Sequence, residues 1–276
     1  YKMVSAQIRE IFRRYTDVIE PLSLDEAYLD VTIDKQGIGF AIDIAQRIKD
    51  AIRSELQLTA SAGVSVNKFV AKIASDLDKP DGLTFIGPSR VERFMEQLPV
   101  EKFFGVGKVT AAKMRQLQLF TGADLKRLTE SDLVRLFGKS GRFYYRIVRG
   151  IDDRVVQPNR ELKSLAVEDT FAHDLERLDS MEEELGKIAK KLTSRLQNRN
   201  LKGRTFTLKV RFADFRLITR SHSLPYYTDE FEDLFGVACQ ALRTVVSEDS
   251  MPIRLLGISA SNFDRVKLAS AQLSLF

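Results

Sequence analysis

The first 98 residues alternate between helical and strand periodicity. Apolar residues at helical spacing predict helices over 6–15, 41–55 and 91–98, and another that begins after Asn67, a suitable N-cap residue. Runs of leucine, tyrosine and β-branched residues predict strands at SLDEAYLDVT (23–32), LTASAGVSV (58–66) and LTFI (83–86). This alternation predicts strands and helices arranged around one sheet.

The pattern changes twice further along the chain. Residues 99–150 hold short helical stretches separated by glycines, and GIDDRVVQPNRE (150–161) is typical of a charged linker. Residues 163–263 predict the order β-α-β-β-α-β. Both helices of this last part carry a continuous apolar stripe, so we expect them to cover one face of the sheet.

The opposite face of that predicted sheet is polar. In the strand that starts at Arg204, apolar residues alternate with Thr205, Thr207, Lys209 and Arg211. The first strand of this sheet begins with Lys163 and Ser164. Hydroxyl groups and cations bind phosphate oxygens without reading bases, so this face is a candidate for phosphate contacts. A merely solvated sheet face is the alternative.

Composition narrows the class of protein. The chain has 276 residues, 44% hydrophobic and 29% charged, which is typical of a folded protein of about two domains. The single cysteine, Cys239, excludes an intramolecular disulfide and a Cys-rich zinc module, and favours a reducing compartment. Two histidines disfavour a His-based metal site. The sequence has no run of 18 apolar residues, so it predicts no membrane span.

Basic residues are unevenly distributed. Residues 91–159 carry a net charge of +5, and residues 187–220 contain 11 basic residues against one acid, Asp214. Such an excess is typical of a surface that binds a polyanion. A solvated helix followed by a solvated strand would have the same composition.

Asp25 and Glu26 are adjacent carboxylates at the start of a predicted strand. Side chains alternate along a strand, so the two can converge on one ion only at a strand end or a hairpin corner, which Pro21 and Ser23 favour. One or two carboxylates with substrate phosphates are a usual Mg²⁺ site, and two such ions clamp the reacting oxygens in phosphoryl transfer. An isolated Asp-Glu pair is more often only a surface feature.

Two glycine-containing turns precede helical stretches. In Gly105-Val106-Gly107-Lys108 the glycines let backbone N–H groups approach a phosphate, and the next helix N-terminus adds a favourable dipole, as in a helix-hairpin-helix. The segment 137–142 is a weaker second copy with Gly138, Lys139, Gly141 and Arg142.

The chain ends in Gln272, Leu273, Ser274, Leu275 and Phe276. Alternating anchors and a terminal aromatic residue suit a groove on a partner protein. A frayed terminus is the alternative.

Three segments together resemble a known family. SLDEAYLDVT (23–32), ASAGVSVNKFVAKIASDLDKPDG (60–82) and FFGVGKVTAAKM (103–114) resemble, in this order, the Y-family (lesion-bypass) DNA polymerases. The likeness runs through essentially the whole chain and is greatest to the bacterial DNA polymerase IV (DinB) group. The closing QLSLF resembles the pentapeptide by which bacterial polymerases bind the sliding clamp.

The resemblance implies an α+β multidomain fold. It has a partial palm with a mixed sheet and helices (1–98), an all-α helix-hairpin-helix thumb (99–153), a linker (154–162), a β-α-β-β-α-β little finger (163–263) and a clamp-binding tail (264–276). The thumb glycines and the little-finger residues Lys163, Ser164, Arg204, Lys209 and Arg211 would hold the duplex backbone.

The resemblance also implies an activity. It is error-prone, template-directed nucleotidyl transfer to a primer 3′-OH with two Mg²⁺ ions, in which Asp25 and Glu26 bind metal and Lys79 contacts the incoming triphosphate. The implied partners are primer–template DNA, deoxynucleoside triphosphates and the sliding clamp, for a cytoplasmic monomer that does not bind a membrane.

One departure from the family concerns the start of the chain. Family members begin with a strand that carries the first metal-binding Asp, then the steric gate and the fingers, whereas this sequence begins at Tyr1 in a predicted helix. We therefore expect this chain to lack one catalytic carboxylate, which Asp30 and Asp34 do not replace, and to be inactive alone.

Two other functions stay open. One is a non-catalytic DNA- and clamp-binding module. The other is a helix-hairpin-helix DNA repair enzyme such as a glycosylase, which leaves SLDEAYLD and the C-terminal pentapeptide unexplained.

Overall fold

The structure, a computed structural model, describes residues 1–159 and 161–264. The chain divides into two units, Tyr1–Arg160 and Glu161–Phe276. The first unit holds α1 (Lys2–Arg13), β1 (Ile19–Pro21), β2 (Ala27–Leu29), α2 (Ala41–Leu56), β3 (Ala62–Ser65), α3 (Lys68–Leu77), β4 (Leu83–Ile86), α4 (Pro88–Gln97), a 3₁₀ turn (Val100–Lys102), α5 (Lys108–Gln116), α6 (Gly122–Lys126), α7 (Glu130–Phe137) and α8 (Lys139–Ile147). The second holds β5 (Ser164–Leu175), α9 (Leu178–Gln197), β6 (Gly203–Phe212), β7 (Leu217–Thr228), α10 (Phe231–Glu248) and β8 (Ile253–Phe263).

The described strands of the first unit form two separate two-stranded sheets. β1 pairs antiparallel with β2, and β3 pairs parallel with β4. The prediction of one sheet was wrong, because among the described strands no ladder joins β2 to β3. The predicted strand 23–32 is also shorter, since the N–H groups of Leu22 and Ser23 both donate to the Glu26 carbonyl and close a hairpin loop.

The starts of the first unit's helices agree only in part with the prediction. Asn67 caps α3, because its side chain accepts from the Val70 N–H at 2.9 Å, as the sequence indicated. α2 covers the predicted residues 41–55. α4 begins earlier than predicted, at Pro88, since proline is well suited to the first helical position.

A shared core joins α3 to the helices that follow it. Residues 100–147, all of them described, are largely helical as predicted, with an isolated bridge between Pro99 and Thr121. The buried stripe of α3 packs into the same apolar cluster as these helices; the cluster includes Phe69, Val70, Ile73, Met95, Val100, Phe103, Met114, Leu125, Leu133 and Ile147. The palm and thumb boundaries stay predictions; α3 and the helices after it share this cluster, whereas Ile11 of α1 and Ile44, Ile48 and Ile52 of α2 belong to a second one.

Residues 150–157, here called the strap, are held against the first unit. Phe69 N–H donates to Asp152, Lys68 donates to the Val155 carbonyl at 3.1 Å, and Gln157 N–H donates to Glu20 at 2.8 Å. The Val155 carbonyl and the Gln157 N–H are thus hydrogen-bonded to α3 and β1, and the linker assigned to residues 154–162 stays a prediction.

The second unit has the predicted β-α-β-β-α-β order. Its described strands form an antiparallel sheet in the order β5-β8-β6-β7. The apolar stripes of α9 and α10 are buried against one face of this sheet, where they meet Phe206, Leu208, Val210 and Phe212 of β6. The prediction that both helices cover one face is confirmed.

Gly141 provides a test of the packing between α7 and α8. A β carbon there would stand 2.0 Å from the Leu133 carbonyl oxygen, so Gly141→Ala forces the two helices apart. We expect the free energy of unfolding of the first unit to fall by about 1–3 kcal/mol, measured by chemical denaturation.

The matched control is Gly236 of α10, where a β carbon meets nothing within 4 Å. Gly236→Ala should raise the stability of the second unit by about 0.5–1 kcal/mol, because alanine is the better helix former. Equal effects of the two substitutions would contradict the packing argument.

Candidate active site and phosphate-binding surfaces

Asp25 and Glu26 lie in the hairpin loop between β1 and β2. Pro21 pairs with Ala27 at the base of this loop. The loop closes through hydrogen bonds from the Leu22 and Ser23 N–H groups to the Glu26 carbonyl, 2.9 and 3.3 Å long. Both carboxylates are exposed there, so the hairpin corner predicted from the sequence is present.

Ser23 organises this loop. Its hydroxyl accepts from the N–H groups of Asp25 and Glu26 at 3.3 and 3.0 Å, and donates to Asp25 Oδ1 at 2.5 Å. The Ser23 hydroxyl, with a backbone N–H and the charge of Lys79 as smaller contributions, holds the pKa of Asp25 below its ordinary value. Asp25 is therefore a carboxylate at neutral pH, ready to accept a cation.

Two lysines stand beside these carboxylates. Lys72 of α3 has its ammonium 3.5 Å from Glu26 Oε1 and 2.8 Å from Asp76 Oδ2, with only 11% of its side chain exposed. Lys79 follows α3 and lies 2.6 Å from Asp76 Oδ1. The bond to Asp76 raises the pKa of Lys79, and the charges of Glu26 and Asp25 add to this.

Asp76 therefore bridges the two ammonium groups. Burial alone would raise the pKa of Asp76, but its hydrogen bonds to Lys72 and Lys79 hold that pKa below the ordinary value. The sequence analysis missed Lys72 and Asp76. Their i, i+4 spacing on α3, with Lys79 three residues further on, was the available signal.

The donor set suits a hard divalent ion shared with a substrate. Across residues 1–159 and 161–264, no group of three or more His, Cys, Asp and Glu side chains could hold a metal ion. Two adjacent exposed carboxylates remain, and Mg²⁺ commonly binds through one or two carboxylates together with substrate phosphates. The site thus fits an ion that a polyphosphate helps to hold.

A buried ion pair lies behind the hairpin. Glu20 of β1 is fully buried and pairs with Lys68 of α3, whose ammonium lies 4.9 Å from the centre of the Tyr28 ring. Burial, more than any charge nearby, raises the pKa of Tyr28 to about 12. This pair was not found in the sequence, because Glu20 and Lys68 are 48 residues apart and match no motif.

The first glycine turn leads into α5 and leaves the N-terminus of that helix exposed. Gly105 has a φ of +90°, and the Val106 N–H donates to the Phe103 carbonyl at 2.9 Å to close the turn. Gly107 caps α5 without a side chain, and Lys108 is the first helical residue. Because the first N–H groups of a helix have no acceptor within it, this end offers exposed donors to an anion.

The second glycine turn, residues 137–142, exposes only some of its candidate DNA-binding residues. Gly138 caps α8 at a φ of +60°, and Gly138 and Lys139 are exposed. Arg142 is exposed but already paired with Glu130 at 2.9 Å. Gly141 is buried against α7 and its N–H donates to the Gly138 carbonyl, so its DNA contact stays a prediction that this N–H does not support.

The uncovered face of the second sheet carries the predicted hydroxyl and basic side chains. Thr205 and Thr207 of β6 bond to Ser223 and Ser221 of β7, with oxygens 2.7 and 2.8 Å apart. The hydroxyl groups thereby form a ladder along two paired strands. This arrangement presents hydroxyl oxygens and hydrogens without a shape that would select a base.

Basic residues stand along and beside this ladder. Lys209 pairs with Glu168 at 2.7 Å. Lys163 and Arg204 line a groove of about 410 Å³ with Tyr227, Asn262 and Phe263. Ser164 is exposed at the start of β5, and Arg211 is half-buried near the end of β6. Residues Gln272 to Phe276 lie outside the described residues, so their predicted role stays a prediction.

Three protein-family models match separate stretches of the chain. Residues 1–76 match the impB/mucB/samB family, residues 88–119 match the IMS family HHH motif, and residues 162–275 match the impB/mucB/samB family C-terminal domain. The helix-hairpin-helix predicted around Gly105 and Gly107 is confirmed by the second match.

Curated relatives and solved structures agree with these matches. The chain is 50% identical to a DNA polymerase IV of Akkermansia muciniphila over 95% of its length and 73% of that protein. It is 48% identical to a DNA polymerase IV of Clostridioides difficile strain 630, over 100% of the chain and 76% of that protein. The fold matches a Y-family DNA polymerase chimera of Dbh and Dpo4 with a TM-score of 0.85 and 24% identity, over 96% of the chain and 76% of that structure.

The Asp76 bridge predicts a change in the titration of Lys79. Asp76→Asn removes the bond that raises the pKa of Lys79, so that pKa should fall towards its ordinary value of 10.5. NMR of the lysine side chains over a pH series measures this. Asp78→Asn is the control, and an equal fall in that variant would contradict the bridge.

Proposed function

The chain belongs to the Y-family of DNA polymerases, and we propose that it serves template-directed DNA synthesis past damaged bases by nucleotidyl transfer to a primer 3′-OH. The observation that carries the proposal for this chain is the hairpin that sets Asp25 and Glu26 beside Lys72 and Lys79. This arrangement places two carboxylates that can bind a metal ion beside two ammonium groups, which is what a nucleoside triphosphate with its metal ion requires.

Asp25 and Glu26 would hold Mg²⁺, with two ions in the complete site. Bound there, the metal neutralises charge on the triphosphate and stabilises the attacking and leaving oxygens. The protein contributes a fixed loop, because Ser23 holds the Asp25 carboxylate and the backbone N–H groups on either side of it.

Lys79 is proposed to contact the triphosphate. Its side chain is 52% exposed and is anchored at one point by Asp76, so its ammonium has free donors for phosphate oxygens. Lys72 is more buried and holds Glu26 from the side of α3. Its proposed role is to position that carboxylate.

The duplex backbone is proposed to bind at two kinds of surface. In the first unit these are the N-terminal ends of α5 and α8, with Gly105, Gly107, Lys108, Gly138 and Lys139. In the second unit these are the face with the hydroxyl ladder, with Ser164, Lys209 and Arg211, and the groove lined by Lys163 and Arg204. Contacts of both kinds reach phosphates and not base edges, which suits an enzyme that must accept any template.

The C-terminal pentapeptide is proposed to bind the sliding clamp. Its support is the sequence pattern of Gln272 to Phe276, with apolar anchors at alternate positions. We also propose that the enzyme acts on bacterial DNA in the cytoplasm and that it is a monomer. No helix among the described residues is long and apolar enough to span a membrane.

A second function, a non-catalytic DNA- and clamp-binding module, is favoured by one observation. Within the described residues, no group of three or more His, Cys, Asp and Glu side chains could hold a metal ion, so Asp25 and Glu26 do not form part of a larger ligand cluster. Primer extension by the 276-residue chain, scored beside DNA binding in the same buffer, separates the two. We expect binding without extension from this chain alone, and extension would show that it is catalytically complete.

The metal site is tested by Asp25→Asn. Loss of a ligand should weaken Mn²⁺ binding in the presence of a deoxynucleoside triphosphate by at least about ten-fold, measured by electron paramagnetic resonance. Affinity for a primer–template duplex should stay within about two-fold of the parent chain, because Asp25 is remote from the phosphate-binding surfaces in sequence and not basic.

Asp30→Asn is the matched control, since Asp30 lies just after β2 and its carboxylate accepts from the Thr32 N–H. This variant should bind Mn²⁺ as the parent does. Unchanged Mn²⁺ binding in Asp25→Asn would refute the metal-ligand assignment, and equal losses in both variants would point to a general disturbance of the hairpin.

The proposed clamp contact is tested by deleting Gln272 to Phe276. Affinity for the purified bacterial clamp should fall below detection in surface plasmon resonance, while affinity for duplex DNA stays unchanged. Replacing only Leu275 and Phe276 with alanine should give most of the loss, since apolar anchors carry such contacts. Retained clamp affinity after the deletion would remove the pentapeptide from the proposal.

A further inference from the structure

A carboxylate and an ammonium group meet in the middle of the uncovered sheet face. Lys209 of β6 lies opposite Gly257 of β8, and Gly257 lies opposite Glu168 of β5. The Lys209 ammonium reaches across the intervening strand to Glu168 Oε2 at 2.7 Å. Both side chains are partly exposed, 31% for Lys209 and 48% for Glu168.

The glycine between them allows this contact. A β carbon at position 257 would stand 2.8 Å from the β carbon of Glu168, closer than side chains tolerate. The absence of a side chain on β8 at this row therefore leaves the space through which Glu168 and Lys209 reach each other. The pair is built into the register of the sheet.

Glu168 differs in charge from the residues that surround it on this face. On β5 this face runs from Ser164 to Thr170, and Glu168 carries the one negative charge among the described residues of the face at those positions and opposite them. Across the sheet, Glu168 is followed by Gly257 and Lys209, and the positions around them carry hydroxyl groups. A phosphate that approaches Lys209 meets an ammonium group already bonded to a carboxylate. It must displace that carboxylate or share the ammonium with it.

We propose that Glu168 competes with DNA phosphate for Lys209 and thereby limits the affinity of this face for duplex DNA. The inference rests on the proposed function, because it takes this face as the one that binds the duplex backbone. In the free protein Glu168 holds Lys209 in place. In the complex its charge remains beside the phosphate, which weakens binding and shortens the life of the complex.

Glu168→Gln tests the competition, and Asp169→Asn is a closely matched control. Asp169 is the next residue, is similarly exposed at 46%, and also pairs with a lysine, Lys191 of α9, at 2.8 Å. It lies on the face of the sheet that the helices cover. Both substitutions remove one negative charge, so a long-range electrostatic effect is common to both.

The measurement is fluorescence anisotropy of a labelled primer–template duplex titrated with the 276-residue chain at several salt concentrations. Glu168→Gln should tighten binding by about two- to five-fold more than Asp169→Asn at ~0.1 M salt, the range expected for release of an exposed ion pair. The slope of log affinity against log salt should steepen by up to about one unit, because one more cation becomes available to phosphate.

Lys209→Gln completes a double-mutant cycle. If the gain arises because Lys209 is released, Glu168→Gln should add no more than Asp169→Asn does once Lys209 is gone. A gain that persists in full without Lys209 overturns the competition, and so does a Glu168→Gln gain no larger than the control's. Thermal unfolding of each variant checks that the sheet is intact.

The same cycle separates this inference from the proposed function. If Lys209→Gln weakens duplex binding but Glu168→Gln does not strengthen it, the face binds DNA and only the competition fails. If Lys209→Gln leaves duplex affinity unchanged, this part of the face does not bind the backbone, and both the contact proposed for Lys209 and the competition are overturned.

Discussion

The buried ion pair between Glu20 and Lys68 is the constraint on which the candidate active site depends. Glu20 is fully buried, and an unpaired charge in such a place is strongly unfavourable, so β1 and α3 must meet with Lys68 at hydrogen-bonding distance. The strap adds to this contact, because Val155 and Gln157 bond to Lys68 and Glu20. One pair thereby brings together three segments that are far apart in sequence.

This pair also aligns the two halves of the site. Glu20 directly precedes Pro21, from which the hairpin loop with Asp25 and Glu26 begins. Lys68, Lys72 and Asp76 follow each other at four-residue spacing and so share one face of α3. Once Lys68 is fixed against Glu20, Lys72 and Asp76 are directed towards the hairpin. The site is thus a consequence of where a buried charge must be compensated.

The two kinds of surface proposed to bind phosphate are built in different ways. At α5 the donors are backbone N–H groups, freed by the helix N-terminus and exposed by Gly105 and Gly107. On the second sheet they are side chains, arranged by strand register into hydroxyl pairs such as Thr205 with Ser223. Backbone N–H groups and hydroxyl groups both suit phosphate oxygens, which is consistent with the proposed binding of DNA without regard to sequence.

The sequence by itself determined the elements and the residue types of the site. Local periodicity and capping are short-range properties, so α2, the Asn67 cap and the β-α-β-β-α-β order were predictable, and so was the hairpin corner that holds Asp25 and Glu26. Only the tertiary structure decided which of these segments meet. The division of the first unit into two small sheets, the docking of the strap, the burial of Gly141 and the contact of Glu168 with Lys209 all depend on long-range packing, because the partners are brought together by buried charge, by close approach of backbones and by strand register, none of which a local pattern contains.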